Sequence, residues 1–356
     1  MAETIARKAR RLTTIDIFLW VVRIAAVVFI LIGSVNSLTS GRLSAQQWRD
    51  LLVFGVAQGS VYALIALGYT MVYGVLRFIN FAHGEVFMVG GMIGYVVSTP
   101  LSRTSLWTDQ TILAMIIVLL AAVMASTSVA VLLERVAYRP LRGAPRLVPF
   151  ITAIGASFFL QYAIAGLFGT GFKNYPAFPG LSGVFEFAGF RVLKTQAVVI
   201  GMALVAMGAL YLFIERTRAG RAIRAVSEDQ ETARLMGINV DRTISTVFAV
   251  GGAMAGVAGV AYGIVFGQIY FLSGFVPGIK AFTAAVLGGI GNIGGAFVGG
   301  MTLGGVESIG PSLVLTGLGI PSSNQLKDVF AFITLVLVLI FRPTGILGER
   351  LSEERV

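Results

Sequence analysis

The 356-residue sequence contains no cysteine, one histidine and few charged residues. Without cysteine the chain can form neither a disulfide nor a thiolate metal site. A single histidine leaves little for a conventional transition-metal site, so we expect no metal and no cofactor. Charged residues make up 12% of the chain, whereas soluble domains carry roughly 25%. This composition cannot cover a water-facing surface, and it indicates an integral membrane protein.

The net charge of +10 does not indicate a nucleic-acid partner. The basic residues cluster in the segments between apolar runs, as charges that set membrane topology do. The sequence also lacks the G-x-x-x-x-G-K-[ST] phosphate loop, so the chain cannot hydrolyse ATP by that route. With one histidine, no cysteine and no clustered carboxylates, a membrane-embedded enzyme is disfavoured, and we expect no catalytic residue.

Apolar runs of about 20 residues, the length that crosses a bilayer core, recur along the whole chain. Because strand alternation is absent, they predict an all-α polytopic bundle of about eight to ten transmembrane helices. A glycine-broken or re-entrant region is predicted at 276–316. The continuous spans are predicted near 17–33, 51–76, 79–99, 111–133, 148–168, 196–214, 243–266 and 325–341.

Basic residues predict how these spans are threaded through the membrane. A basic N-terminus and basic loops at 134–147 and 215–242 are placed inside, and the less basic loop 169–195 outside. A cytoplasmic C-terminal tail then requires residues 267–324 to leave and return to the same face. Two short helices or a re-entrant loop would do so, and GGIGNIGG at 288–295 is the expected break.

Forty-four glycines are too many for loops alone. Small residues recur at every fourth position after residue 251, which places them on one helix face where another backbone can approach. Generic helix packing is the favoured explanation. Glycine also permits helix breaks, and paired interrupted segments mark transport pathways, here 74–91 and 276–300. The predicted packing glycines are Gly251, Gly259, Gly263, Gly291 and Gly295.

The predicted internal loop contains ETARLMG, from Glu231 to Gly237. The pattern predicts a short amphipathic helix that Gly237 ends as a left-handed C-cap. Such a helix suits docking into a groove on a soluble partner. Composition alone favours the alternative, an ordinary solvated helix in a loop.

ETARLMG resembles the EAA-x-x-x-G motif of ABC-importer permeases, with Thr232 in place of the first alanine. Longer stretches are similar to the LivH-type branched-chain amino acid permeases, and together they span about residues 47–350. These stretches are GSVYALIALGYTMVYG at 59–74, INFAHGEVFMVGG at 79–91, ERVAYRPLRG at 134–143, KAFTAAVLGGIGNIGGAFVGG at 280–300 and RPTGILG at 342–348.

The resemblance implies an importer subunit in the bacterial cytoplasmic (inner) membrane, with both termini in the cytoplasm. Its implied partners are two ABC ATPase subunits, a second related permease that makes a heterodimer, and a soluble substrate-binding protein. The implied coupling helix, which docks on an ATPase, is carried by Glu231, Thr232, Ala233 and Gly237. Residues 47–350 would form the permease domain, with the coupling loop at 215–242 and a cytoplasmic tail at 351–356.

Residues 1–46 lie outside the resemblance. A basic start before an apolar run is typical of a signal peptide, but Arg23 interrupts the run and no clear A-x-A site follows. We therefore predict an uncleaved signal-anchor helix in this extension.

Polar residues inside apolar sequence are candidates for the transport pathway, because ionisable groups at membrane depth need partners or water. His83 and Glu85 are two residues apart, so they point to different faces of a regular helix. The alternative is a turn at the membrane interface, packed against Arg77 or nearby carbonyls, which the threading favours for His83. The pathway or gate candidates are Tyr62, Tyr69, Tyr73, Asn80, His83, Glu85, Thr283 and Asn292.

The leading prediction is a permease subunit for leucine, isoleucine and valine, with related permeases for urea or short amides as the alternative substrate class. A gradient-driven secondary transporter is the second hypothesis. It would need carboxylates at mid-membrane, and its candidates Glu85, Glu307 and Asp328 all lie near predicted helix ends.

Overall fold

The computed structural model describes residues 14–145, 147–320, 323–342 and 344–348. Within them the chain is almost entirely helical, as predicted. The helices are α1 (Thr14–Thr39), α2 (Ala45–Leu76), α3 (His83–Leu101), α4 (Ser105–Asp109), α5 (Thr111–Leu133), α6 (Leu147–Phe168), α7 (Lys194–Arg216), α8 (Arg218–Glu228), α9 (Gln230–Leu235), α10 (Val240–Phe266), α11 (Phe275–Gly288), α12 (Ile293–Gly310) and α13 (Lys327–Phe341).

Two short antiparallel ribbons complete the fold. The first pairs β1 (Lys173–Asn174) with β4 (Gln268–Ile269), and the second pairs β2 (Val184–Phe187) with β3 (Phe190–Leu193). The first ribbon ties the loop after α6 to the segment between α10 and α11.

Six helices in the described part of the chain are long and apolar enough to cross a bilayer, namely α2, α3, α5, α6, α7 and α10. The lipid-facing sides of α5, α6 and α7 expose many large apolar side chains, as expected of a protein whose surround is hydrocarbon. The structure confirms a polytopic helical bundle.

The predicted glycine break is also confirmed. Helix α11 ends at Gly288 and α12 begins at Ile293, and between them Gly289 and Gly291 adopt φ angles of 104° and 100°. No atom lies within 4 Å of the position that a Cβ on Gly291 would take. Gly291 is therefore not a packing residue as predicted; it supplies the left-handed backbone of the break.

The centre of the molecule is α2, which is buried along most of its length. Its serine N-cap, Ser44, forms a capping box with Gln47, which satisfies two helix-end N–H groups. Helix α10 runs antiparallel to α2, since Gly251 lies against Gly68 and Phe54 packs on Phe266.

Small residues let the backbones around α2 approach closely. Gly259 of α10 lies against the backbone of Gly91 on α3, Gly263 against the ring of Tyr175, and Gly295 against Gly288 across the break. On α12, Gly300 meets Ala63 of α2 and Gly304 meets Gly59. These contacts fit the close-packing geometry that small residues give to membrane helices.

Gly304 and Gly305 give a matched test of this packing. A Cβ at Gly304 would collide with the backbone of Gly59, whereas a Cβ at Gly305 meets nothing within 4 Å. We expect Gly304→Ala to lower stability by about 1–3 kcal/mol through overpacking. Gly305→Ala should be neutral or stabilising by up to ~1 kcal/mol from helix propensity. Thermal unfolding in detergent measures both, and equal midpoints would contradict the close approach.

The extra helix predicted in residues 1–46 is present as α1. It packs on the π-helical turn Pro311–Leu315 and its C-terminal neighbours, where Ser37 Oγ donates to the Ser312 carbonyl at 2.9 Å and Gly33 lies against Val314 and Gly317. The Arg23 guanidinium lies 4.6 Å from the Phe341 ring centroid, a cation–π distance. Its service as a signal anchor stays a prediction, and residues 1–13 and the tail 351–356 lie outside the described residues.

Candidate functional site

Helix α3 begins inside the bundle, not at its edge. After α2 ends at Leu76, Arg77 takes a left-handed conformation (φ 57°) and the chain turns back, so that α3 starts only at His83. The His83 ring lies against Gly68, eight residues before the end of α2, which is about 12 Å along that helix. The predicted span near 79–99 is therefore a helix whose start is recessed.

Helix α11 begins next to this recessed start. A Cβ on Gly84 would stand 2.5 Å from the Gly274 carbonyl oxygen and 3.0 Å from the Gly278 Cα. The two backbones are thus in direct contact, and no side chain separates them. We call this juxtaposition of 83–85 with 274–278 the paired helix starts.

The paired helices run in opposite directions. Helix α3 is parallel to α10, since Gly90 and Gly91 lie against Gly256 and Gly259. It is therefore antiparallel to α2. Helix α11 is parallel to α2, since Tyr69 meets Phe282 edge-to-face and Tyr73 lies beside Ala285 further along. Two N-terminal ends therefore meet within the bundle. Each helix start carries a partial positive charge from the helix dipole, so the junction suits an anionic group.

Glu85 places a carboxylate at this junction. Its side chain is 1% exposed, and its Oε1 accepts hydrogen bonds from Gln161 Nε2 (2.7 Å) and Ser157 Oγ (3.3 Å), both on α6. Its Oε2 lies at Gly274 and has no hydrogen-bond partner among the described residues. A buried carboxylate is normally paired with a cation, and Glu85 is held by neutral donors only.

His83 is also buried and incompletely bonded. Its ring packs edge-to-face on Tyr69, with centroids 4.9 Å apart, and its Nε2 lacks a partner within the described ranges. Arg77 does not contact it; the guanidinium instead donates to the Ser227 carbonyl at 2.6 Å. Of the partners predicted in the alternative, Arg77 or nearby carbonyls, Arg77 is therefore not the one that His83 contacts.

A small apolar cavity adjoins the paired helix starts. Tyr69, which contacts His83, is one of its walls, and the cavity measures only ≈ 10 Å³, about the space of one water molecule. In this conformation the cavity admits no amino acid. The cavity is lined by Tyr69, Tyr73, Ile79, Phe282, Ala285 and Ile290.

Three of the predicted pathway residues, Asn80, Thr283 and Asn292, have other contacts. Asn80 holds the turn before α3, since its Oδ1 accepts from the Ala82 N–H and from the Tyr138 hydroxyl at 2.6 Å. Thr283 donates to the Ile279 carbonyl of its own helix. Asn292 caps α12 through the Gly295 N–H and donates to the Leu347 carbonyl. Their contacts place them in structural roles, away from the cavity lining.

Tyr62 belongs to a buried polar cluster that the sequence did not reveal. The Lys280 ammonium lies 2.6 Å from Glu307 Oε1, 2.7 Å from Asp328 Oδ1 and 3.4 Å from the Tyr62 hydroxyl. Gln58 donates to the same hydroxyl at 2.6 Å. The cluster joins α2, α11, α12 and α13, so Glu307 and Asp328 neutralise a lysine and do not stand free in the membrane.

The predicted coupling helix is α9. Asp229 caps it, accepting from the N–H groups of Glu231 and Thr232 and from the Thr232 hydroxyl, and these hydrogen bonds, the Thr232 ones foremost, hold the pKa of Asp229 below its usual range. Ala233 is buried, and Gly237 follows the helix with a φ of 82°, the conformation predicted for it. Leu235 and Met236 are 88% and 78% exposed, which leaves an apolar tip without a partner in the described structure.

The coupling segment is bonded to the end of α2. Gln230 Nε2 donates to the Val75 carbonyl at 2.7 Å, and Arg77 donates to the Ser227 carbonyl. Val75 and Arg77 flank the point where the chain turns toward α3. Displacement of α8 and α9 would therefore pull on the turn that carries Asn80 and on the recessed start of α3.

A second network supports this turn from the other side. Glu134, fully buried in the π-helical turn Glu134–Tyr138, accepts from Arg139, from Arg142 and from the Ser245 hydroxyl at 2.7 Å. These hydrogen bonds anchor the π-helical turn to α10. Tyr138 of that turn donates to Asn80 in the turn before α3. The run ERVAYRPLR contains the acid and both arginines, so the ion pairs could have been suspected from their spacing; the contact with Asn80 could not.

Comparison with known proteins agrees with this architecture. The family model described as the branched-chain amino acid transport system permease component matches residues 51–339. The chain is 45% identical over 303 residues to BraD of Pseudomonas aeruginosa, a high-affinity branched-chain amino acid transport system permease protein, covering 84% of this chain and 95% of the relative.

Two further relatives extend the comparison. LivH of Escherichia coli, described in the same terms, is 44% identical over 298 residues, covering 83% of this chain and 94% of the relative. A probable branched-chain amino acid permease, LivH of Methanocaldococcus jannaschii, is 27% identical over 314 residues, covering 84% and 92%. The chain is a multi-pass membrane protein that belongs to the branched-chain amino acid transport permease family.

Proposed function

We propose that this chain is the transmembrane permease subunit of an ATP-binding-cassette importer that carries leucine, isoleucine and valine across the bacterial cytoplasmic membrane. The observation that carries the proposal is the 45% identity along 95% of a high-affinity branched-chain amino acid permease. The paired helix starts support it, because they supply polar groups beside an apolar cavity in the middle of the bundle.

Its partners follow from the same reading. Two ATPase subunits supply the energy, since the sequence has no phosphate loop of its own. One docks on the apolar tip formed by Leu235 and Met236. A second related permease completes the membrane-embedded part of the transporter. The coupling segment and both termini of this chain lie on the cytoplasmic side. A soluble binding protein delivers substrate from the other face.

The mechanism is alternating access. ATP-driven closure of the ATPases moves α8 and α9, and the bonds of Gln230 and Arg77 pass that movement to the end of α2 and to the turn before α3. The paired helix starts separate, the closed cavity enlarges, and substrate enters from the outer side. Hydrolysis restores the closed arrangement and releases substrate inward.

Uptake of labelled leucine by cells that express the chain with its neighbouring transport genes tests this function. Unlabelled valine should compete and urea should not. Gly237→Asp should lower uptake about tenfold or more, since a charge at the rim of the docking tip opposes ATPase binding. Asp tolerates a left-handed conformation better than most residues, and Gly237 has no atom within 4 Å of its Cβ position, so the protein should still insert.

Gly180→Asp is the matched control. Gly180 has a φ of 79° and likewise nothing within 4 Å, but it lies in the loop on the opposite face. The Gly180→Asp variant also places an aspartate in a left-handed conformation and adds the same charge. It should transport leucine at the wild-type rate. Competition by urea but not valine would indicate an amide permease. Uptake that survives Gly237→Asp and collapses with the proton gradient would indicate a secondary transporter.

A further inference from the structure

We infer that Glu85 is the residue that accepts the ammonium group of the transported amino acid. The aliphatic side chain of that amino acid would lie in the cavity beside Tyr69. This inference rests on the proposed function and names the groups that recognise the substrate. It assigns to Glu85 the choice of zwitterionic amino acids over uncharged solutes of similar size.

The first argument is the missing counter-ion. Glu85 is nearly fully buried, and it forms no ion pair within the described ranges. One oxygen is satisfied by Gln161 and Ser157, and the other, Oε2, has no partner there. Elsewhere in the bundle a buried carboxylate does have its cation: Glu307 is paired with Lys280. An ammonium group brought by the substrate would supply the cation that Glu85 lacks.

The second argument is the space around Oε2. Two glycines border it and the neighbouring His83 ring, and two more, Gly84 and Gly278, lie against each other between α3 and α11. Gly68 contacts the His83 ring, and Gly274 contacts the Glu85 carboxylate. Side chains at these positions would fill the junction, so its walls are backbone. A small separation of α3 from α11 would therefore open room for a compact polar group without moving any side chain.

The third argument is the complementarity of the surroundings. The partial positive charges of the two helix N-termini favour a substrate carboxylate beside them. Tyr69 contacts His83 on one side and Phe282 on the other. It thereby joins the polar junction to the apolar cavity. A short molecule with a charged head and a branched aliphatic end matches this order of groups.

The test uses the complete transporter in proteoliposomes, with the partner permease, both ATPases and the binding protein. Glu85→Gln keeps the size of the side chain and an oxygen for Gln161 and Ser157, and it removes the charge. Leucine transported per ATP should fall about tenfold or more, the loss expected for a charged hydrogen bond. The concentration of binding protein that gives half-maximal ATP hydrolysis should stay unchanged, because docking is remote from Glu85.

Glu186→Gln makes the same chemical change in the exposed β2–β3 ribbon and should transport as wild type. Glu85→Asp keeps the charge and should recover part of the transport that Glu85→Gln loses. Full transport by Glu85→Gln would overturn the assignment. So would equal loss in Glu85→Gln and Glu85→Asp together with loss of ATPase co-purification, which would show a structural role. A wild-type complex that moves no leucine would overturn the proposed function itself, before any variant is compared, and the assignment would fall with it.

Discussion

A chain that carries Leu235→Asp and Met236→Asp is expected to insert and fold but to lose its ATPase subunits on purification. Both side chains are almost fully exposed at the tip of α9 and make no contribution to the packed core. In an apolar groove each would act as an anchor, and truncating an anchor residue costs about 2 kcal/mol or more. Aspartate adds the penalty of burying a charge. Together the two changes predict at least about a hundredfold loss of ATPase affinity.

Co-purification of the ATPases with the tagged permease measures this effect, and leucine uptake should fall with it. The matched control replaces Val184 and Phe185, two neighbouring half-exposed apolar residues of the β2–β3 ribbon, with aspartate. That ribbon lies on the opposite face, so the control should keep its ATPases. If the Leu235 and Met236 variant also retained them at wild-type level, the apolar tip would not be the docking surface.

The second large effect is expected from Lys280→Met. Lys280 is 5% exposed at its side chain and joins Glu307, which is fully buried, to the half-exposed Asp328. Removing the ammonium leaves the Glu307 carboxylate buried without a counter-ion, and breaking one partner of a buried pair costs about 3–5 kcal/mol. We expect a strongly lowered thermal midpoint in detergent and a several-fold smaller amount of folded protein in the membrane.

The double variant Lys280→Met with Glu307→Gln separates charge from packing. It removes both buried charges together, and replacing a buried pair by neutral groups is often nearly neutral. Most of the stability should therefore return, and a double-mutant cycle gives the coupling between the two side chains. A single variant as stable as wild type would show that Lys280 does not hold the four helices together.

The features predicted best from the sequence were those that depend on neighbouring residues. The break at 289–292 and the conformation of Gly237 follow from glycine positions within a few residues. Helix geometry predicts that His83 and Glu85 point to different faces. In the structure His83 contacts α2 and Glu85 contacts α6. The bundle itself follows from the length of the apolar runs.

The features that were missed depend on contacts between distant parts of the chain. Tyr62 and Tyr69 lie on one helix and both contact α11, yet Tyr62 meets Lys280 and Tyr69 meets Phe282 and lines the cavity. Asn80 is a pathway candidate by its polarity alone, and its partner Tyr138, 58 residues away, gives no signal in the local sequence. No partner of Lys280 is predicted, since Glu307 and Asp328 are 27 and 48 residues further on.

The packing of α1 also bears on how the protein is made. Helix α1 has its contact, Ser37 with Ser312, 275 residues later in the chain. At 5–20 residues per second, its partner emerges roughly 14–55 s afterwards. During that interval α1 lacks this partner, and its exposed large apolar residues along 20–38 suit a hydrocarbon surround. The small face around Gly33 and Ser37 can therefore pack only after residues 312–317 have been synthesised.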